Sequence, residues 1–209
     1  GQLRFTVDDD NGVELIDGRV QEVEPGFVVA LADGRRLSAR RLLVATGAGA
    51  ELPDLPGVRE RWGRDLLHCP YCHGWEVRDE PLGVLGTHPL AVQHALLVRQ
   101  WSDDVVFFAH GRQVAEADEA ALTARGVRIE PSDGRVVPCT AVFVRPGVRP
   151  HPDGLLPGLG AELDADGFAV VDATGRTSVP GVWGAGNAVD PRAQVITAAG
   201  QGSAAAIAI

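Results

Sequence analysis

The sequence contains neither lysine nor methionine, and all 19 of its basic residues are arginines. Without lysine, the chain offers no amine for Schiff-base chemistry and no Walker-type phosphate loop. It has no run of about 18 apolar residues, so we expect no membrane-spanning helix. It also does not open with a basic segment followed by an apolar one, so we expect no secretion signal and a cytoplasmic location.

Positive charge is scarce as a whole: 19 basic residues stand against 28 acidic ones, for a net charge of −9. Because contacts with nucleic-acid phosphates need clustered basic side chains, we expect no nucleic-acid partner. Apolar residues make up 45% and charged residues 22% of the 209 positions, which is typical of globular proteins. This length allows one large domain or two small ones, each with a buried core.

Cysteine is also scarce, and the odd total of three argues against a framework of structural disulfides. Two of the three, Cys69 and Cys72, are separated by only two residues. This spacing lets the sulfurs close a small disulfide ring, and such pairs often carry a thiolate of lowered pKa. The adjoining His68 and His73 suit proton transfer near neutral pH. We therefore favour a redox-active dithiol.

Three other interpretations of the pair stay open. A closed zinc site needs about four ligands, and Cys139 is the only thiol outside the cluster. Covalent c-type haem fits the pattern from Cys69 to His73, but it requires an oxidising compartment and often a methionine ligand. The third is a pair of buried thiols without a chemical role.

Apolar periodicity predicts an α/β fold. Residues 13–47 have the pattern of a β meander that begins near Val13–Leu15 and ends in a buried, parallel strand at Leu42–Ala45. Residues 48–66 are rich in proline and glycine, as domain crossings often are. Beyond residue 82 strands and helices alternate, which indicates a doubly wound parallel sheet. The predicted strands lie at 82–85, 105–108, 127–129, 136–144 and 168–172, and the helices at 89–101, 115–125 and from Gln194 onward.

The turn after residue 85 partly fits the Gly-x-Gly-x-x-Gly/Ala pattern of dinucleotide sites. Gly86 and Ala91 match, but His88 replaces the second glycine and Pro89 removes a backbone N–H. About 20 residues on, where an acidic ribose ligand is expected, stands His110-Gly111-Arg112. Arg112 suits a 2′-phosphate, so NADPH fits better than NADH. A helix packed on a strand with no ligand is an equal alternative.

Three segments in this order resemble the low-molecular-weight thioredoxin reductases, FAD enzymes of the pyridine nucleotide-disulphide oxidoreductase family. They are Leu42-Leu43-Val44-Ala45-Thr46-Gly47, the cysteine pair, and Val179-Pro180-Gly181-Val182-Trp183-Gly184-Ala185-Gly186-Asn187. The resemblance implies two Rossmann-like, three-layer nucleotide-binding domains, the second inserted into the first. Residues 1–50 and 177–209 would form the FAD domain, and residues 51–176 the NADPH-type domain with the dithiol. It also implies a homodimer.

The resemblance assigns roles to individual residues. Cys69, Cys72 and His73 would be catalytic; Cys69 would be the more exposed sulfur, attacked first, and Cys72 would lie nearer the flavin. Gly86 and Arg112 would serve the NADPH site. The FAD contacts would be Thr46, Gly47, Gly186, Asn187, Gln194 and Val195.

Several departures refine the functional expectation. His73 and Asn187 stand where the reductases usually have aspartate, and the glycine motif at Gly86 is broken. The form Cys-x-x-Cys-His-Gly-aromatic-Glu looks more like the gliotoxin- and holomycin-type dithiol oxidases, which close small-molecule dithiols and pass electrons through FAD to oxygen. We therefore expect such an oxidase. An NADPH-dependent reductase acting on a thioredoxin-like protein, or a non-catalytic nucleotide- or zinc-binding module, are the alternatives.

Two segments of the family pattern are missing. The glycine motif that holds the ADP part of FAD does not precede Gly12, and only six residues separate Ile129 from Val136, where the family has a strand pair. We therefore expect that the sequence skips or lacks these segments.

Overall fold

The structure is a computed structural model, and it describes residues 14–131 and 133–209. The question of a glycine motif before Gly12 therefore lies outside the described residues. The chain divides into two compact units. Of the described residues, the first comprises 14–49 and 149–209, and the second comprises 50–131 and 133–148.

In the described part of the first unit, an antiparallel meander is followed by a parallel strand pair. The meander consists of β1 (Val20–Glu24), β2 (Val28–Leu31) and β3 (Arg36–Ser38), and the parallel pair of β4 (Leu42–Val44) and β12 (Val182–Gly184). The helices of this unit are α5 (Leu155–Gly158), a 3₁₀ helix (Gly186–Ala188) and α6 (Val195–Ala208). Strands β5 (Ala48–Glu51) and β11 (Gly147–Pro150), where the chain passes between the units, pair with each other.

The second unit is built on a five-stranded parallel sheet in the order β6-β10-β7-β8-β9. Its strands are β6 (Leu66–Leu67), β7 (Leu82–Leu85), β8 (Val105–Phe108), β9 (Arg128–Glu130) and β10 (Ala141–Val144). Its helices are α1 (Val58–Arg61), α2 (Pro70–His73), α3 (Ala91–Val98) and α4 (Glu116–Ala124). This alternation confirms the predicted doubly wound α/β fold.

Continuous apolar strands form the core of the second unit. Leu82, Val84 and Phe143 are completely buried, and Ala95 and Val98 of α3 pack into the same cluster. A parallel sheet is covered on both faces, so its strands need no alternation of polar and apolar residues. Burial of each large aliphatic side chain contributes roughly 1.5–3 kcal/mol to the stability of the fold. The sheet is therefore a stable support for the loops at the ends of its strands.

Four local predictions were wrong. Among the described residues the first strand is β1 at Val20–Glu24, whereas Glu14 and Leu15 are outside any strand. In β4 only Val44 is buried, because Leu43 faces out at 40% exposure. The strand expected at 136–144 begins only at Ala141, after Pro138, which lacks an N–H for the ladder. Residues 168–172 form only the isolated bridge between Leu163 and Ala169.

Within 14–131 and 133–209, none of the helices combines the length and apolar character that crossing a bilayer requires.

Candidate active site

The cysteine pair lies on a short helical turn that follows the buried strand β6. Cys69 is the N-cap of α2, and its carbonyl accepts hydrogen bonds from the N–H groups of Cys72 and His73, each at 3.1 Å. Pro70 occupies the first helical position, where no N–H is needed. This turn brings the Cα atoms of Cys69 and Cys72 to 5.2 Å, and the two sulfurs form a disulfide.

The disulfide favours the redox interpretation over the other three. Across the described residues, no three His, Cys, Asp or Glu side chains are grouped as metal ligands. Cys139 is a separate, half-buried free thiol, and burial raises its pKa. The pair is also not buried, because Cys72 is exposed and Cys69 is partly exposed.

The order of exposure corrects one expectation. The family resemblance predicts Cys69 as the more accessible sulfur. In the structure, however, Cys72 is an exposed residue and Cys69 is a half-buried one. Cys69 is separated by one residue from the buried strand β6 (Leu66–Leu67) and is the N-cap of α2, whereas Cys72 lies within the helical turn. Cys72 is therefore the more open to an approaching molecule.

An exposed aromatic surface adjoins the disulfide. Tyr71 and Trp75 are each 64% exposed, and His73 between them is exposed as well. Trp75 is held by Arg78, whose guanidinium lies 3.7 Å from the ring centroid and donates a hydrogen bond to the Trp75 carbonyl at 2.7 Å. Such a cation over an indole face orients the ring.

Behind this turn lies a histidine that the sequence motifs did not reveal. His94 of α3 is 2% exposed, and its Nε2 lies 2.8 Å from the backbone carbonyl of His68. Burial lowers the pKa of His94 to about 4. Burial and the nearby Arg145 also lower the pKa of His68. The only signal in the sequence is a single polar residue on the apolar face of α3.

The glycine turn brings together the two residues predicted for NADPH. Gly86 is packed so closely that a Cβ atom there would lie 2.7 Å from the Phe108 carbonyl. Arg112 donates a hydrogen bond from Nη1 to the Gly86 carbonyl at 3.4 Å. His88 stands at the start of α3, with its Nδ1 3.0 Å from the backbone nitrogen of Leu90.

In the first unit, the predicted flavin residues meet at the carboxyl ends of two neighbouring strands. Thr46 and Gly47 follow β4, and Gly186 and Asn187 follow β12, its parallel partner. Gly47 and Gly186 have φ values of 81° and 65°, which favour glycine. Thr46 and Gly47 also line one small cavity, with Ala188 on its wall.

The remaining two predicted residues begin α6. Gln194 is its N-cap and makes no side-chain capping bond, while Val195 and Ile196 are 65% and 81% exposed. The helix is fixed to the strand end because Gln201 accepts the Gly186 N–H at 2.8 Å. An uncapped helix start attracts electron-rich groups, and exposed apolar side chains suit a flat ring. These residues therefore fit the ring end of a flavin.

Asn187 holds the loop that joins the end of β12 to the start of α6. Its Nδ2 donates to the carbonyls of Asp190 and Ala193, at 2.9 and 3.0 Å. An aspartate at this position would have no N–H to donate, so the asparagine changes how the loop is held. Its Oδ1 stays available as an acceptor for a ribityl hydroxyl.

Comparisons with known proteins identify the family of the chain. The pyridine nucleotide-disulphide oxidoreductase family matches residues 5–130 and 106–202. A thioredoxin reductase of Streptomyces coelicolor is 30% identical over 94% of the chain and 70% of its own length. The crystal structure of HlmI is 53% identical with a TM-score of 0.87, covering 96% of this chain and 70% of that one.

An alkyl hydroperoxide reductase of Pseudomonas putida is 29% identical over 86% of the chain. The chain spans only 40% of the length of that relative. The matches confirm the resemblance and the fold class that the sequence motifs indicated. The chain belongs to the pyridine nucleotide-disulphide oxidoreductase family.

Proposed function

We propose that the chain is a flavin-dependent thiol–disulfide oxidoreductase that oxidises a small-molecule dithiol through Cys69 and Cys72, with oxygen as the final acceptor. The observation that carries the proposal is the disulfide itself, held on a short helix with Cys72 and His73 exposed. Family membership supports a flavin as the electron acceptor of the pair. The His-Gly-Trp-Glu sequence after Cys72 supports an oxidase of dithiols.

The proposed exchange needs two attacks. A substrate thiolate attacks one sulfur of the disulfide, which forms a mixed disulfide and releases the other cysteine as a thiolate. The second substrate thiol then attacks the substrate sulfur of the mixed disulfide and releases the cyclic product. The substrate loses two electrons and two protons, and the Cys69–Cys72 pair becomes a dithiol.

His73 is the proposed proton acceptor for the substrate thiols. It is the last residue of α2 and follows Cys72 directly, so it is part of the same turn as the reactive sulfur. Its side chain is exposed, which leaves it open to a substrate that reaches Cys72. A positioned base of this kind raises the thiolate fraction where the attack occurs.

FAD would be held in the first unit by Thr46, Gly47, Gly186 and Asn187 together with the start of α6 at Gln194 and Val195. FAD held there would supply the two-electron acceptor for the reduced cysteine pair and the route to oxygen, with hydrogen peroxide as the product. The division into an FAD domain of residues 1–50 and 177–209 and an NADPH-type domain of residues 51–176 stays a prediction. The homodimer and the cytoplasmic location are likewise predictions.

The test uses the FAD-loaded protein with dithiothreitol in air and no pyridine nucleotide. We expect oxygen uptake with one peroxide for each cyclic disulfide formed. A protein that consumes neither oxygen nor dithiol under these conditions would contradict the proposal.

The second candidate is an NADPH-dependent reductase of a thioredoxin-like protein, which the name of the Streptomyces relative favours. The two candidates differ in the electron donor. NADPH under nitrogen would bleach the flavin of a reductase within seconds, whereas the proposed oxidase keeps its yellow colour until a dithiol is added.

A further inference from the structure

We propose that His88 and Pro89 close the glycine turn of the second unit against a dinucleotide, so that NADPH does not bind at the start of α3. The side chain of His88 accepts the hydrogen bond of the Leu90 N–H, a backbone donor that would bind a pyrophosphate oxygen in an open turn. This inference deepens the proposed function and rests on it for the source of electrons. If NADPH does not bind, the dithiol substrate must supply the electrons.

The backbone donors at the start of α3 are the first support. In an open dinucleotide turn, free N–H groups at the helix start bind the pyrophosphate. Here Pro89 has no N–H, the N–H of Leu90 donates to Nδ1 of His88 at 3.0 Å, and the N–H of Ala91 donates to the His88 carbonyl at 3.0 Å. None of the three consecutive positions therefore offers a free donor.

The position of the His88 ring is the second support. The second glycine of the pattern has no side chain, which lets a phosphate approach the backbone. At residue 88 an imidazole fills this space, and its bond to the Leu90 N–H fixes the ring over the turn. Because Nδ1 accepts a hydrogen bond, the ring is neutral, with its proton on Nε2. Burial together with Arg145 and Arg112 lowers the pKa of His88, which keeps this form at neutral pH.

The turn is also tied down from the far side. The N–H of Gly86 donates to the Phe108 carbonyl at 2.8 Å, and Arg112 donates to the Gly86 carbonyl. Arg112, the residue suited to a 2′-phosphate, is thus drawn toward the protein's own backbone. One donor of Arg112 and the backbone donors of residues 90 and 91 are thus engaged within the chain.

The experiment compares NADPH binding by the FAD-loaded wild type and by the double variant His88→Gly with Pro89→Ala. The double variant returns the glycine and exposes the N–H groups of residues 89 and 90. A bond to a charged phosphate contributes about 1.5–3 kcal/mol, so we expect at least a tenfold gain in the association constant, measured by calorimetry under nitrogen.

The variant His88→Asn is the matched control. An asparagine side chain also accepts the N–H two residues ahead, so this variant keeps the turn closed and should bind NADPH no better than the wild type. The flavin spectrum and thermal unfolding of each variant check that it is folded.

Two results would overturn the inference: NADPH binding by the wild type as tight as by the double variant, or a folded double variant that gains nothing. Oxidation of dithiothreitol, measured on the same wild-type protein, is independent of both. Its absence would refute the proposed function and leave the closure of the turn intact, so the two failures are distinguishable.

Discussion

The imidazole of His94 donates a hydrogen bond from Nε2 to the backbone carbonyl of His68, with 2.8 Å between the two atoms. A carbonyl oxygen can only accept, so the Nε2 of His94 carries a proton. Burial lowers the pKa of His94 to about 4, so the ring is neutral at neutral pH. His68 directly precedes Cys69. Helix α3, which belongs to the buried core, is thereby tied to the start of the disulfide turn.

The first prediction concerns acid sensitivity. The pKa of buried His94 is lowered from 6.5 to about 4, so between these values the unfolded chain binds a proton that the folded chain excludes. Stability therefore falls as the pH decreases from 6.5 toward 4, by up to about 1.4 kcal/mol for each pH unit. The variant His94→Gln should lose this part of the pH dependence in urea unfolding at pH 7 and pH 5.

The control for this prediction is His110→Asn, which removes an exposed histidine and tolerates its positive φ of 50°. It should unfold with the wild-type pH dependence. Equal pH slopes for His94→Gln and the wild type would show that His94 does not titrate as its burial implies.

The second prediction concerns the two sulfurs. Cys69→Ser and Cys72→Ser should each abolish dithiol turnover while the flavin colour remains, because both sulfurs are needed for exchange. In a Cys139→Ala background each variant has one thiol. The thiol of Cys72 should then react faster with 5,5′-dithiobis(2-nitrobenzoate) than that of Cys69, since Cys72 is the more exposed residue.

Cys139→Ala alone is the control for both measurements, because its thiol is half-buried and takes no part in the disulfide. It should leave turnover unchanged. Full turnover in either serine variant would remove the pair from the mechanism, and a faster Cys69 thiol would restore the order of exposure that the sequence suggested.

The sequence was sufficient where the physical signal is local. The apolar runs at 82–85 and 105–108 predicted β7 and β8 to the residue, because parallel strands are buried on both faces. The spacing of Cys69 and Cys72 also predicted their pairing, because one short helical turn brings the two residues together. Composition and local pattern determine both features.

Features that depend on a distant partner could not be predicted. The partner of His94 is a backbone carbonyl 26 residues away, which no side-chain pattern marks. Likewise, residues 168–172 have the composition of a strand, but pairing requires a neighbour, and only the bridge from Ala169 to Leu163 forms. The exposure of Cys72 relative to Cys69 also follows from the packing of the turn, not from the motif.

The third prediction concerns His73. Replacing it with alanine should lower kcat/KM for the dithiol by roughly 10²–10⁴-fold, which is the usual contribution of a positioned base. His73→Asp keeps a proton acceptor at the same place and should retain most of the activity that the alanine variant loses. Equal rates for the alanine variant and the wild type would remove His73 from proton transfer.

The last prediction concerns the rigidity of the disulfide turn. Gly74 is buried behind α2, where an added Cβ would overlap the Pro70 carbonyl and lie 2.6 Å from two atoms of the Trp101 ring. Gly74→Ala should therefore destabilise the second unit by about 1–3 kcal/mol, as overpacking usually does. Urea unfolding measures this effect.

Two further variants show whether the steric contact is the cause. Combining Gly74→Ala with Trp101→Leu removes the ring and should recover part of the loss, which a double-mutant cycle measures. Gly200→Ala in α6 is the control: no atom lies within 4 Å of its Cβ position, so it should stabilise its helix by roughly 0.5–1 kcal/mol. If Gly74→Ala unfolds at the same urea concentration as the wild type, close packing of Gly74 against Trp101 does not hold the turn. The exposed position of Cys72 would then need another explanation.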